Sequence, residues 1–180
     1  MKKNIGTALT LYPTPTVVIG SMVNGKPTWT LVAHVGIMGH DHVTVSLAQA
    51  HYINQGIKEN GTLSINVVDE SWLAKADQMG CISGNQQDKS EAFAYTVGEK
   101  ATPMINEAKL SIECEVETNH ETKGFDNFIC TILGTYADET ILDENEKVNY
   151  HKFKPVLFEM PTYEYFVAGD CIGKCMKVGK

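Results

Sequence analysis

The sequence predicts one mainly β domain with short helices: an antiparallel, Greek-key-like β-barrel with helical decorations. Three observations predict it. Strand-like runs, β-branched or alternating in polarity, outnumber helical ones. The helical runs are short and mostly precede residue 100. At 180 residues, 43% hydrophobic and 21% charged, residues 1–180 make a single globular domain, given about 150 residues per domain.

The elements follow in order. Thr16 to Val23 is β-branched, and the consecutive Val17, Val18 and Ile19 predict a strand buried on both faces. Asn24-Gly25 is the strongest short hairpin signal, because both residues tolerate positive φ. Pro27 to Ala33 returns as the partner strand, with Trp29, Leu31 and Ala33 on one face and Thr28, Thr30 and Val32 on the other. Trp29 and Trp72 are expected to pack in the core. His42 to Ala48 is a further strand, alternating Val43, Val45 and Leu47 with Thr44 and Ser46. Tyr52 to Asn60 is a short helix stopped by Gly61, and Leu63 to Val68 is a strand. Asp69 or Ser71 caps a helix from Trp72 to Met79, ended by Gly80. Ser83-Gly84-Asn85 is a loop, and Asp88 caps a short helical piece through Ala94. Four strands follow: Lys109 to Glu117, Asn127 to Tyr136, Lys154 to Phe158 and Tyr163 to Ala168, with a turn at His120 to Gly124 between the first two. The acidic run from Ala137 to Lys147 is a solvated surface excursion.

Charge narrows the function. All 15 basic residues are Lys, none is Arg, and the net charge is −7. An acidic, Arg-free chain is a poor nucleic-acid binder and has no basic face for anionic lipid. No apolar run reaches the 18 or so residues of a membrane helix. The N-terminal apolar stretch is interrupted by Pro13 and Pro15 and reads as mature sequence, not a leader. Five cysteines cannot all pair, and none forms a C-x-x-C; reduced thiols in a cytoplasmic protein are expected, Cys171 and Cys175 included.

Several chemistries fail on their motifs. There is no nucleophile elbow, no Walker-type phosphate loop and no G-x-G-x-x-G after a strand. Cys81 beside Ser83-Gly84 reads as a packed apolar residue. His40-Asp41-His42, with His34 and His51 nearby, offers metal-ligand types, but the spacing is loose and the segment reads as a turn. What remains is an anion site without Arg. Thr28 to His34 and Thr44 to Ala48 bring polar strand edges together; His51, Tyr52 and Asn54 stand at a helix entry; Lys89 adds charge.

The ordered set Pro15 to Gly20, Trp29 to His34, Thr44 to Leu47, His51-Tyr52, Leu63 to Val68, Ser83-Gly84 and Asp88-Lys89, with the tail Ile172-Gly173-Lys174 and Gly179-Lys180, resembles the flavin reductase-like family of the FMN-binding split β-barrel, of flavoredoxin type. The resemblance implies a homodimer with FMN at or near the subunit interface. It implies that Thr30, Leu31, Val32, Ala33 and His34 bind the flavin ring edge, that Ser46, Leu47 and Ala48 form a second contact, and that His51, Tyr52, Asn54 and Lys89 hold the phosphate. His34 beside the ring is the candidate catalytic residue. Relatives often place Arg near the phosphate; here His51 stands in that region, so phosphate binding is expected to weaken as His51 loses its proton. The implied activity is FMN-dependent hydride transfer from NADH or NADPH through flavin N5 to an acceptor. An electron carrier served by a redox-protein partner, which does not itself oxidise NAD(P)H, is the alternative. A metal-dependent enzyme using His34, His40 and His42 is a third reading.

Overall fold

The computed structural model describes residues 1–179; Lys180, part of the tail resemblance, lies outside them. Seven strands make one antiparallel sheet: β2 (Val17–Val23), β3 (Lys26–Val32), β4 (Val35–Ile37), β5 (His42–Ala48), β6 (Thr62–Val67), β9 (Leu110–Thr122) and β10 (Phe125–Ala137). Their order is β3-β2-β6-β9-β10-β5-β4. The two edge strands, β3 and β4, are consecutive in the chain, joined only by Ala33 and His34. Two residues bridge the edges of a seven-stranded sheet only if the sheet curls until its edges meet. The result is a half-barrel with a seam beside β3. The His34 carbonyl, at that seam, accepts from the Ser46 N–H at 2.9 Å.

The strand β2 is buried on both faces, as its sequence predicts. Val17 and Ile19 point into the barrel with Val45, Leu47, Leu63 and Phe128. Val18 points outward to a second core of Trp29, Trp72, Met79 and Phe93. Phe93 stands edge-on to Trp29 and to Trp72, with ring centroids 5.6 and 5.7 Å apart. Gly20 permits this: a Cβ there would lie 2.5 Å from the Trp29 ring. Asn24 (φ 51°) and Gly25 (φ 76°) make the expected hairpin turn.

Helix α1 (Ile53–Asn60) buries Ile53 and Ile57 and ends at Gly61, whose φ of 68° lets its N–H cap the Ile57 carbonyl at 2.9 Å. Helix α2 (Leu73–Cys81) passes through Gly80 instead of stopping before it. Gly80 lies flat on Leu31, with room for a Cβ only 3.2 Å from Leu31 Cδ2. Its glycine therefore serves close packing against β3, not termination.

The sheet also departs from expectation after residue 80. Residues 88–94 are turns, not helix: Asp88 accepts from the Ser90 N–H at 2.8 Å, and Phe93 is drawn into the second core before a turn can propagate. Two short strands, β7 (Tyr95–Val97) and β8 (Pro103–Ile105), pair beyond it. The hairpin of β9 and β10 turns at Lys123-Gly124 alone, so His120 to Thr122 are strand. A small sheet of β1 (Thr14–Pro15), β11 (Val156–Glu159) and β12 (Glu164–Val167) stands beside the seam.

No helix is long and apolar enough to cross a membrane among the described residues. All five cysteines are free. Burial pushes the Cys114 and Cys130 thiols up to about 12, with smaller contributions from neighbouring groups, so both stay protonated at neutral pH.

Candidate functional site

The open edge of β3 faces a groove of two adjoining cavities, of about 440 and 340 Å³, which share Ala48, His51, Gly80 and Cys81. The first has a mostly apolar lining. Leu31, Val32, Ala33 and His34 form one side and Ser46, Leu47 and Ala48 the next. The β11–β12 hairpin closes it with Phe158, Met160, Tyr163 and Tyr165. Because β3 pairs only with β2, one backbone edge is left without a strand partner. The Trp29 carbonyl lies on that edge, where Lys89 reaches it, and strand alternation puts the N–H and C=O of Leu31 on the same side. Adjacent donors and acceptors beside a flat apolar slot suit a heteroaromatic ring that carries both.

The second cavity is more polar. Thr28, Thr30, Tyr52, Ser83, Gly84 and Lys89 are among its lining residues. No side chain caps the N-terminus of α1, which opens here at Tyr52 and Ile53. Lys89 is only 6% exposed. Its ammonium donates to the carbonyls of Trp29 and Met79, both at 2.9 Å, which uses two of its three N–H bonds. No carboxylate lies within 4.0 Å of it among the described residues. Burial lowers its pKa. A buried cation without a counter-charge is costly, and an anion in the cavity that Lys89 lines removes the cost. Burial, and then the charge of Lys89, lower the His51 pKa below its ordinary 6.5, so His51 is neutral at pH 7.

Eleven of the twelve residues singled out from sequence line this groove: Leu31 to His34 and Ser46 to Ala48 in the first cavity, Thr30, Tyr52 and Lys89 in the second, and His51 in both. Asn54 does not. It is buried, and its amide donates to the Ala48 carbonyl at 3.1 Å and to Asp126 at 2.8 Å, so it anchors the end of β5 from beneath. His34 lines the first cavity with its Nε2 held 3.2 Å from the Tyr12 hydroxyl and its ring edge-on to Phe125.

Sequence reasoning missed the far wall. Phe158, Met160, Tyr163 and Tyr165 reach the groove across more than a hundred residues of chain, and the Tyr165 hydroxyl ties the hairpin to α2 by donating to Asp77 at 2.6 Å. The hairpin from Val156 to Val167 is apolar almost throughout, with only Glu159, Thr162 and Glu164 strongly polar, so its aromatics carry no distinctive local signal. The histidines considered as metal ligands lie apart in role: His42 bonds Asp41 at 2.6 Å and Glu117 at 3.0 Å on the outer surface, while His34 bonds Tyr12. No group of three or more His, Cys, Asp or Glu side chains converges as metal ligands among the described residues.

Residues 9–159 match the flavin reductase like domain. Among solved structures, flavoredoxin of Methanosarcina acetivorans is 32% identical, with a TM-score of 0.95 over 100% of this chain and 98% of that one. Flavoredoxin of Desulfovibrio vulgaris is 28% identical, with a TM-score of 0.92 over the whole of both chains. An FMN-binding protein of Thermus thermophilus, at 17% identity and TM-score 0.83 over 97% of this chain and 100% of that one, shares the fold. No curated protein matches. The domain match and the flavoredoxin likeness together place this chain in the flavin reductase-like family, with the split-barrel fold.

Proposed function

We propose that the protein binds FMN in the groove and is an FMN-dependent oxidoreductase that takes a hydride from NADH or NADPH and delivers electrons to an acceptor. The observation that carries this reading is Lys89, a buried cation without a carboxylate partner, standing at one end of a groove whose other end is flat and apolar. The lining fits the group: the free edge of Leu31 would hold the ring edge, Lys89 and the start of α1 would hold the phosphate, and Phe158 and Tyr163 would exclude water from the ring. When bound, FMN supplies the redox chemistry through N5 of its ring. The chain's part is to bind and orient. His34 is held at Nε2 by Tyr12, leaving Nδ1 to hold or move a proton beside the first cavity.

Two further expectations belong to this reading. Exposed apolar side chains at Ile37, Met38, Ile172 and Met176 support a homodimer with the flavin near the interface. Free thiols support a cytoplasmic site of action. Likeness to flavoredoxins favours a second reading, a carrier reduced by a redox-protein partner.

The test begins with an absorption spectrum of the protein titrated with FMN. Flavin bands that stay with the protein on dialysis, and FMN released by heat, are expected. Unchanged spectra of added FMN would overturn the flavin reading. Oxidation of NADH or NADPH by the loaded protein then distinguishes the enzyme from the carrier.

A further inference from the structure

The strand β1 ties the N-terminal segment to both the seam and the β11–β12 hairpin. Thr14 pairs with Phe158, and its hydroxyl donates to the Ala33 carbonyl at 3.0 Å. Tyr12 is thereby set with its hydroxyl 3.2 Å from His34 Nε2 and its ring edge-on to Phe158, centroids 6.2 Å apart. When that hydroxyl donates to Nε2, the ring proton of His34 sits on Nδ1. Tyr163 joins this pair from the hairpin tip. Its φ of 60° is a conformation a bulky residue adopts only where its surroundings hold it. The Thr162 N–H and hydroxyl, both donated to Glu159, supply that hold. Burial, and then the Tyr163 phenol, raise the Tyr12 pKa, so its hydroxyl keeps its proton at neutral pH. We infer that Tyr12, His34 and Tyr163 form a carbonyl-oxygen site, and that the acceptor they serve is a neutral quinone lying between the flavin ring and the hairpin. This rests on the flavin reading of the first cavity and names its acceptor.

The chemistry of the walls selects this class. Phe158 lies 6.0 Å from the Tyr163 ring and 5.6 Å from the Tyr165 ring, an aromatic wall that suits a planar π-system. Among the described residues that line the first cavity, Asp77 is the only carboxylate and none is Lys, so nothing there favours an anion. Tyr163 is 73% exposed, which leaves a path in from solvent. A quinone takes its proton on oxygen, where hydroxyl and imidazole donors serve it. It gains a hydride, and with it two electrons, at one oxygen from the reduced, N1-deprotonated flavin. Its other oxygen gains the Nδ1 proton of His34 as the Tyr12 hydroxyl returns a proton to Nε2, and water restores Tyr12. Hydroquinone and oxidised flavin result. His34 is then the catalytic residue, and Tyr12 a positioning residue that acts through it.

The experiment first titrates the oxidised, FMN-loaded protein with menadione, a neutral naphthoquinone, and follows the flavin absorption bands. No electrons pass between two oxidised partners, so the shift reads binding alone. A saturable shift is expected, with a naphthoquinone sulfonate, the same ring bearing a negative charge, at least about tenfold weaker. The protein reduced with dithionite is then mixed with menadione, or with ferricyanide, which takes single electrons and no proton. His34→Gln should lower the ratio of the menadione rate to the ferricyanide rate by about a hundredfold, and Tyr12→Phe, which keeps the ring against Phe158, by about tenfold. Tyr12→Phe should hold FMN within about threefold of wild type. Flavin bands that menadione leaves unchanged, or a rate ratio unchanged in both variants, overturn the inference and leave the flavin reading intact. A loss of FMN affinity in Tyr12→Phe as large as its loss of rate ratio would show that the cluster holds the flavin's own carbonyl, and overturns it too. Failure of FMN itself to bind the wild type overturns the flavin reading.

Discussion

Substituting Lys89 by Met tests the proposed phosphate seat. Met keeps the unbranched stem and most of the buried volume but deletes the charge. Two unit charges about 4 Å apart at an effective dielectric near 20 attract by about 4 kcal/mol. A charge-assisted hydrogen bond alone contributes about 1.5 to 3 kcal/mol net. The loss for a phosphate-bearing flavin is therefore about 2 to 4 kcal/mol, a rise of roughly 30- to 1,000-fold in Kd. Riboflavin has the same ring and no phosphate, so its Kd should move by no more than about threefold. Stability changes by less than the charge suggests. The carbonyls of Trp29 and Met79 lose their shared donor, at about 1 to 3 kcal/mol each, but the fold no longer buries an uncompensated ammonium. Lys89→Gln, which retains N–H donors, separates the two effects: FMN affinity should fall as it does for Met, with less loss in melting temperature. The assay is fluorescence quenching of FMN and of riboflavin by each apoprotein, beside thermal unfolding. Equal losses for both flavins would mean that Lys89 only supports the loop, and unchanged FMN affinity would mean that the phosphate lies elsewhere.

Three other outcomes are expected. His51 titrates below 6.5 in the free protein because of burial and Lys89, and a bound phosphate raises that value, so binding takes up protons and the His51 contribution grows as pH falls. The second ionisation of the phosphate, near 6, opposes this, so the readout is the FMN Kd ratio of His51→Asn to wild type, which should rise between pH 7.5 and 5.5 and would stay flat if His51 were remote. Gly84→Ala sets a Cβ 2.9 Å from Tyr52 Cβ and Cδ1, forcing that side chain to move; thermal unfolding should register about 1 to 3 kcal/mol, and FMN titration a weaker site. Asp126→Ala leaves Asn54, Asn119 and Lys58 without the buried carboxylate that takes a bond from each at 2.8, 2.8 and 2.9 Å. Lys58 is half-exposed and regains water, so the loss is that of the buried amide bonds, about 1 to 3 kcal/mol, or about 2 to 12 °C in melting temperature. Burial alone would raise the Asp126 pKa, but bonds from Asn119 and Lys58 hold it below 3.8; the stability it contributes is present above 3.8 and fades as pH falls through its lowered value.

What the sequence makes legible follows from where the determinants sit. The strand β2 and its Asn24-Gly25 turn are written in contiguous residues, as is the Gly61 helix stop, and all three stand in the structure as read. The error at Gly80 has a tertiary cause: the same residue that terminates helices also permits close packing, and only Leu31 across the gap decides between the two. Asn54 shows the same limit at the site. Its type and position suit phosphate binding, yet Asp126, seventy-two residues away, claims its amide. Phe158 and Tyr165 were invisible as site residues because the β1–β11–β12 sheet places them there, and no local pattern announces that pairing.

The absence of Arg looks at first like a defect in an anion site, and the geometry explains why it is not. Arg is favoured at phosphates because its rigid fork of donors matches two phosphate oxygens at once. Lys89 instead works by burial. Two carbonyls fix its ammonium, leaving one N–H bond and a charge that no carboxylate among the described residues neutralises. Burial, and then that same charge, hold the pKa of the neighbouring His51 below its ordinary value. The groove is thus one titrating unit whose two bases both gain from a phosphate. An Arg at position 89 would not reproduce it: the planar guanidinium has five N–H bonds to satisfy where the carbonyls of Trp29 and Met79 accept two, and its bulk would crowd that buried seat. Lys89→Arg should therefore fail to restore the FMN affinity lost in Lys89→Met, although it returns the charge, and full rescue would show that charge alone, not the buried carbonyl seat, makes the site.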